Sequence, residues 1–115
     1  MYLLTRAPID AEALRRAVAG PANGAVVVFH GDAREQTAGR RVTGLHYEAY
    51  ESMALAGLEA LGAEMRRVHG VSAVACAHRL GPVPVGESAM VLAVSAPHRE
   101  AALAATAVVA LELIA

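Results

Sequence analysis

Residues 41–78 read RVTGLHYEAYESMALAGLEALGAEMRRVHGVSAVACAH, and the hydrophobic period changes twice along them. From Arg41 to Tyr50 the side chains alternate, with Leu45, Tyr47 and Ala49 on one side and Gly44, His46, Glu48 and Tyr50 on the other, which predicts a strand. From Glu51 to Val68 the apolar residues Leu55, Leu58, Leu61, Met65 and Val68 recur at three- and four-residue steps. Glu59, Glu64, Arg66 and Arg67 lie elsewhere on the wheel, so this stretch predicts a helix with one apolar stripe. Val71 to His78 then returns to a strand. Strands and helices interleave in this chain.

The flanks extend the same order. Tyr2–Thr5 predicts a short strand. Asp10 is a capping residue for a helix over 10–19, where Leu14 and Val18 share a face and Gly20-Pro21 stops the run. Gly24 to Phe29 is a continuous apolar run between turn signals, which predicts a strand buried on both faces, whose end at His30-Gly31-Asp32 leads into a polar loop through Arg40. Gly81-Pro82-Val83-Pro84-Val85-Gly86 carries two prolines and two glycines and predicts a loop rather than sheet interior. Ala89 to Ser95 is another apolar strand, and Pro97 suits the first turn of a last helix running to about Ile114. The order β-α-β-β-α-β-β-α predicts an α+β fold with a mixed or antiparallel sheet and three helices.

Composition bounds the function. With 115 residues and 56% apolar content the chain is long enough for one core, and is expected to form a single domain over 1–115. Aromatics make up 3% and the net charge is −1, so neither a base-stacking platform nor a global attraction to phosphate backbones is available for nucleic acid. No apolar run reaches the roughly 18 residues of a bilayer span. One cysteine, Cys76, excludes an intramolecular disulfide and suits a reducing compartment, so a soluble, cytoplasmic protein is expected. All ten basic residues are arginine, so the chain holds no lysine to serve as base or nucleophile.

The candidate site residues are cationic. His98 and Arg99 open the last helix, where free backbone N–H groups already favour an anion, so the pair either lines a phosphate or carboxylate pocket or leaves Arg99 solvated or paired with Glu100 or Glu87. Arg34 follows the strand at Gly24–Phe29 in a glycine-flanked loop, where it is either a substrate group or a solvated surface arginine. Arg40 and Arg41 suit a charged sheet edge. The five histidines form no helical i,i+4 pair and no His-Glu-x-x-His or Cys-x-x-Cys pattern, so no metal is expected. Cys76 is either packed in its strand or a nucleophile served by His78 on the same face, and no Ser-His-Asp pattern is apparent.

Four segments, taken in order, resemble one family: FHGDAR (Phe29 to Arg34), GRRVTGLHYEAYESMA (Gly39 to Ala54), HRLGPVPVGE (His78 to Glu87) and SAPHREAAL (Ser95 to Leu103). They are similar to the large subunit of molybdopterin synthase, the MoaE type, over roughly Gly24 to Leu111. The resemblance implies an α/β-hammerhead fold and a homodimer at the centre of a heterotetramer. Each end would bind a ubiquitin-like small subunit whose C-terminal Gly-Gly thiocarboxylate delivers sulfur, twice, to cyclic pyranopterin monophosphate. The product is the dithiolene of molybdopterin, the sulfur comes from the partner, and no cofactor is implied. By the same resemblance Arg34, His98 and Arg99 line the pocket for the substrate phosphate and the partner's tail.

The resemblance departs at the C-terminus. Family members carry a lysine at the end of the last helix and another in a following Pro-x-Trp-Lys segment. The first falls near Ile114, which is apolar here, and the second would lie past Ala115. Two expectations follow, a sulfurtransferase whose catalytic residues are unassigned, or a truncated or non-catalytic paralogue that binds the small subunit without turnover.

Overall fold

Asp10 fixes where the chain first coils. After β1 (Tyr2–Thr5), its side chain accepts the Ala13 N–H at 3.1 Å and caps α1 (Ala11–Val18). The computed structural model describes the backbone except at residues 35, 38–39, 42–43, 48–50 and 115, and the side chains outside 35–54 and 113–115. The elements that follow are β2 (Ala25–Asp32), β3 (Gln36–Thr37), β4 (Arg40–Arg41), β5 (Gly44–Tyr47), α2 (Glu51–His69), β6 (Ala73–Arg79), β7 (Gly81–Pro84), β8 (Ser88–Ala96) and α3 (Arg99–Ile114).

The main sheet has the order β1-β6-β8-β2. β1 runs parallel to β6, while β6–β8 and β8–β2 are antiparallel, so the sheet is mixed and the expected α+β class with three helices holds. α2 and α3 cover one face, where Leu58, Met65, Ala102, Ala105 and Val109 meet Val74, Cys76, Met90, Leu92 and Val94. α1 covers the other, setting Leu14 and Val18 on Ala75, Ala77, Val91 and Ala93. Alanines at the helix–sheet contacts let the backbones approach closely, which is how so alanine-rich a chain fills its interior. The buried Thr106 hydroxyl is satisfied within its own helix, donating to the Ala102 carbonyl at 2.6 Å.

Several expectations are corrected. β2 is only partly buried because it is the sheet's outer strand, with Val26 and Val28 packed at the margin of the α1 cluster, and it runs three residues past Phe29 to Asp32. Within the stretch expected to be a polar loop, Gln36–Thr37 pairs with Arg40–Arg41 as the β3–β4 ladder. Gly81–Pro84 is strand, not loop. It pairs with β5 in a two-stranded ribbon, Leu45 opposite Val83 and His46 opposite Pro82. Prolines two residues apart aim their missing N–H groups at the same edge of a strand, and a two-stranded ribbon has an outer edge where none is needed. Val68, expected on the buried stripe of α2, is 52% exposed in the helix's last turn. α3 begins at Arg99, so Pro97 and His98 precede the helix. The faces assigned to Leu45, Tyr47 and Ala49 lie outside the described residues.

Cys76 and His78 sit on adjacent like-facing positions of β6, and their protons report the packing. Burial pushes the Cys76 thiol up from its ordinary 9.0 to about 12, which removes the thiolate a nucleophile needs. Burial also lowers the His78 imidazole from 6.5. The signs are opposite. A thiol that ionises less readily when folded contributes stability that is complete below pH 9 and is lost as pH climbs towards 12. An imidazole that protonates less readily when folded contributes above pH 6.5 and loses that contribution as pH falls below it. Urea midpoints are therefore expected to decline on both flanks, the alkaline decline disappearing in Cys76→Ala, and the folded protein's thiol should resist alkylation at pH 8.

Candidate functional site

The β2–β8 pairing decides where each cation stands. Ala25 pairs with Ala96 at one end of the two strands and Asp32 with Ser88 at the other. Pro97, His98 and Arg99 leave β8 at the first end, beside Gly24. There, Gly24, Pro97, His98, Arg99 and Glu100 line a cavity of ≈ 340 Å³. His98 and Arg99 are exposed, and among the described residues no hydrogen bond or ion pair engages either. The partners that could have neutralised Arg99 are otherwise placed: Glu87 holds Arg79, and Glu100 sits in the helix's first turn without an ion pair to its neighbour. The first turn of α3 adds free N–H groups and the positive end of a 16-residue helix. A guanidinium at this pole is disfavoured unless an anion joins it.

Gly24 belongs to this cavity for a steric reason. A Cβ there would lie 2.9 Å from the Pro97 carbonyl oxygen, a backbone atom that cannot swing away. Gly24→Ala is therefore expected to cost about 1–3 kcal/mol by overpacking. It should also shift the Pro97-His98 segment and weaken anion binding. Thermal unfolding and phosphate titration monitored on the His98 imidazole check both parts.

Arg34 stands at the other end of the strand pair. The span of β2 separates it from Gly24 by roughly 25 Å, more than two extended side chains can bridge. The structure brings His98 and Arg99 together and leaves Arg34 apart from them within one chain. A register shift between Gly31 and Asp32 turns the chain off the sheet. Buried Ala33 then donates its N–H to the Glu87 carbonyl at 2.9 Å and accepts the Gly86 N–H at 2.7 Å. Arg34 follows, exposed.

Two side-chain groupings here were not legible as motifs. Ser88 Oγ donates to Asp32 Oδ1 at 2.6 Å and lies 2.9 Å from His30 Nδ1. With the hydroxyl proton given to the carboxylate, His30 must donate to Ser88 through Nδ1–H. A nucleophilic serine needs the reverse, an imidazole that accepts its proton. The trio is a strand-end brace. Arg79, 8% exposed, donates through Nη1 to Glu87 Oε1 at 2.7 Å, closing the excursion through β7. The register of β2 against β8 could not be read from the sequence, and each grouping depends on that register or on the β6–β8 turn.

Among the described residues no three acidic, histidine or cysteine side chains cluster as a metal site, and no helix is long and apolar enough to cross a membrane. The family model described as MoaE protein matches residues 4–113. A relative from Bacillus subtilis (strain 168), named molybdopterin synthase catalytic subunit, is 42% identical over 88% of this chain. The chain spans less than two thirds of the length of the curated relatives it matches, 64% of that one and 54% of a Pyricularia oryzae relative of the same name. Among solved structures, the crystal structure of molybdopterin synthase from Staphylococcus aureus is similar with a TM-score of 0.83 and 38% identity, covering 89% of this chain and 74% of that one. A complex of subunits 1 and 2 of molybdopterin-converting factor from Helicobacter pylori 26695 has a TM-score of 0.75 at 24% identity over 91% of this chain and 71% of that one, a likeness of fold.

Proposed function

This chain belongs to the MoaE family, and we propose that it works as the large, sulfur-inserting subunit of molybdopterin synthase. The observation that carries the reading is the cavity where His98 and Arg99 meet the start of α3 without an anionic partner among the described residues. The proposed acceptor is cyclic pyranopterin monophosphate. The proposed donor is the C-terminal Gly-Gly thiocarboxylate of a ubiquitin-like small subunit, used twice to build the dithiolene. Sulfur comes from that partner and not from a resident cofactor, and the cytoplasm is the proposed setting.

Charge explains why such a site needs arginine. A phosphate and a thiocarboxylate must approach each other, and two unit negative charges about 4 Å apart repel by roughly 4 kcal/mol at an effective dielectric of 20. Guanidinium groups offset that repulsion at any pH the protein meets, and their planar forks hold phosphate in one orientation. Arg34 and the His98–Arg99 pair are too far apart in one chain to share a guest. We therefore propose a homodimer in which Arg34 of one copy and His98 and Arg99 of the other face the same substrate. A two-fold interface makes two such sites.

The direct test supplies the thiocarboxylated small subunit and cyclic pyranopterin monophosphate and measures molybdopterin. The reading expects product that depends on both. No product while the small subunit is demonstrably bound contradicts a catalytic role for this chain.

A further inference from the structure

We propose that Arg79 and Glu87 are positioning residues for Arg34, a role that rests on the substrate-binding function proposed above. The physical chain is short. Arg79 is anchored in β6 and almost fully buried, so its guanidinium is a fixed point, and its 2.7 Å bond to Glu87 Oε1 ties down the far end of the β7 excursion. Gly81 and Gly86 take φ of 77° and 89°, the left-handed values that reverse the backbone on either side of β7. Glu87 N–H closes the second turn on the Pro84 carbonyl at 3.1 Å. The main chain of Gly86 and Glu87 then grips Ala33 from both sides at 2.7 and 2.9 Å, and Ala33 packs in a small apolar cluster with Val83 and Ala89.

Arg34 is the next residue, and its side chain has no tie of its own among the described residues. Its backbone, by contrast, is braced at Ala33 by the clasp, and the Asp32 side chain just before is held by the Ser88 hydroxyl. A clasp of this kind fits a residue that must present a charge at one fixed point. An arginine that merely solubilises a loop needs no such grip. A buried ion pair is also a weak source of net stability, because desolvating the charges offsets most of their attraction. Half-exposed Glu87 gives up less than Arg79, which makes it the side to probe.

The test is Glu87→Gln, alone and combined with Arg34→Ala, with Arg79→Lys as a second way to loosen the clasp. Hydrogen exchange reads the clasp without activity: the Ala33 and Gly86 amides are expected to exchange at least about tenfold faster in either clasp variant. In the sulfur-transfer assay with cyclic pyranopterin monophosphate, Glu87→Gln is expected to raise KM about tenfold with kcat little changed. In the Arg34→Ala background the same substitution should add nothing further. An equal rise in both backgrounds would reduce the ion pair to a structural role. Faster exchange with unchanged KM, where Arg34→Ala itself raises KM, overturns the positioning role alone. An Arg34→Ala variant with unaltered KM overturns the substrate site, and the positioning role with it.

Discussion

Arg34→Ala is expected to weaken binding of cyclic pyranopterin monophosphate by about 1.5–3 kcal/mol, roughly 10- to 150-fold, and Arg99→Ala to do the same. Each side chain is exposed and unpaired among the described residues, so its removal breaks no internal bond and leaves no buried partner orphaned. Thermal unfolding of both variants should stay close to that of the parent, since surface changes of this kind usually stay within about 0.5 kcal/mol. Calorimetric titration measures the affinity. Raising the salt concentration should narrow the gap between parent and variants, because added ions screen the same charges. Unchanged affinity in both variants would remove the anion-site assignment.

Leu92→Ala is expected to have the largest effect on the fold, a loss of about 2–5 kcal/mol. Leu92 is fully buried in β8, opposite Phe29 on one side and Cys76 on the other, beneath the helices of the larger core cluster. Its neighbours are held by strands paired on both flanks, so the cavity cannot collapse. Against a typical domain stability of about 5–15 kcal/mol, that loss is a large share of the whole. Leu111, 74% exposed on α3, is the control: the same substitution there should change stability by less than about 0.5 kcal/mol. Chemical denaturation of the two variants separates the positions. Equal losses would mean that Leu92 is not the keystone its burial makes it.

The helices and the main strands were legible in the sequence because each carries its own signal. Asp10 caps α1 as expected, the three- and four-residue steps from Leu58 through Leu61 to Met65 mark the buried side of α2, and the apolar block Ala89–Ser95 is the core of β8. The signal failed where local chemistry and tertiary placement disagree. Prolines at 82 and 84 argue against sheet in general, yet a ribbon with a free edge accepts them. Val68 keeps the helical period but is exposed in the last turn of α2. The site was half legible. His98 and Arg99 could be found because a helix start and two cations are adjacent in sequence. The separation of Arg34 from them, and the Ser88–Asp32 and Arg79–Glu87 contacts, follow from strand register, which no local pattern encodes.

A mixed dimer tests most directly whether the cations at the two ends of the strand pair serve one guest. Arg34→Ala and Arg99→Ala chains carrying different tags are co-expressed, the dimers containing one of each are purified, and tight cyclic pyranopterin monophosphate sites are counted by titration. With the cations contributed by different copies, one site of the mixed dimer loses both arginines and the other keeps both, so about one tight site per dimer returns although neither variant alone has any. A mixed dimer that binds no better than either parent variant, while the unmodified dimer binds tightly, contradicts the account.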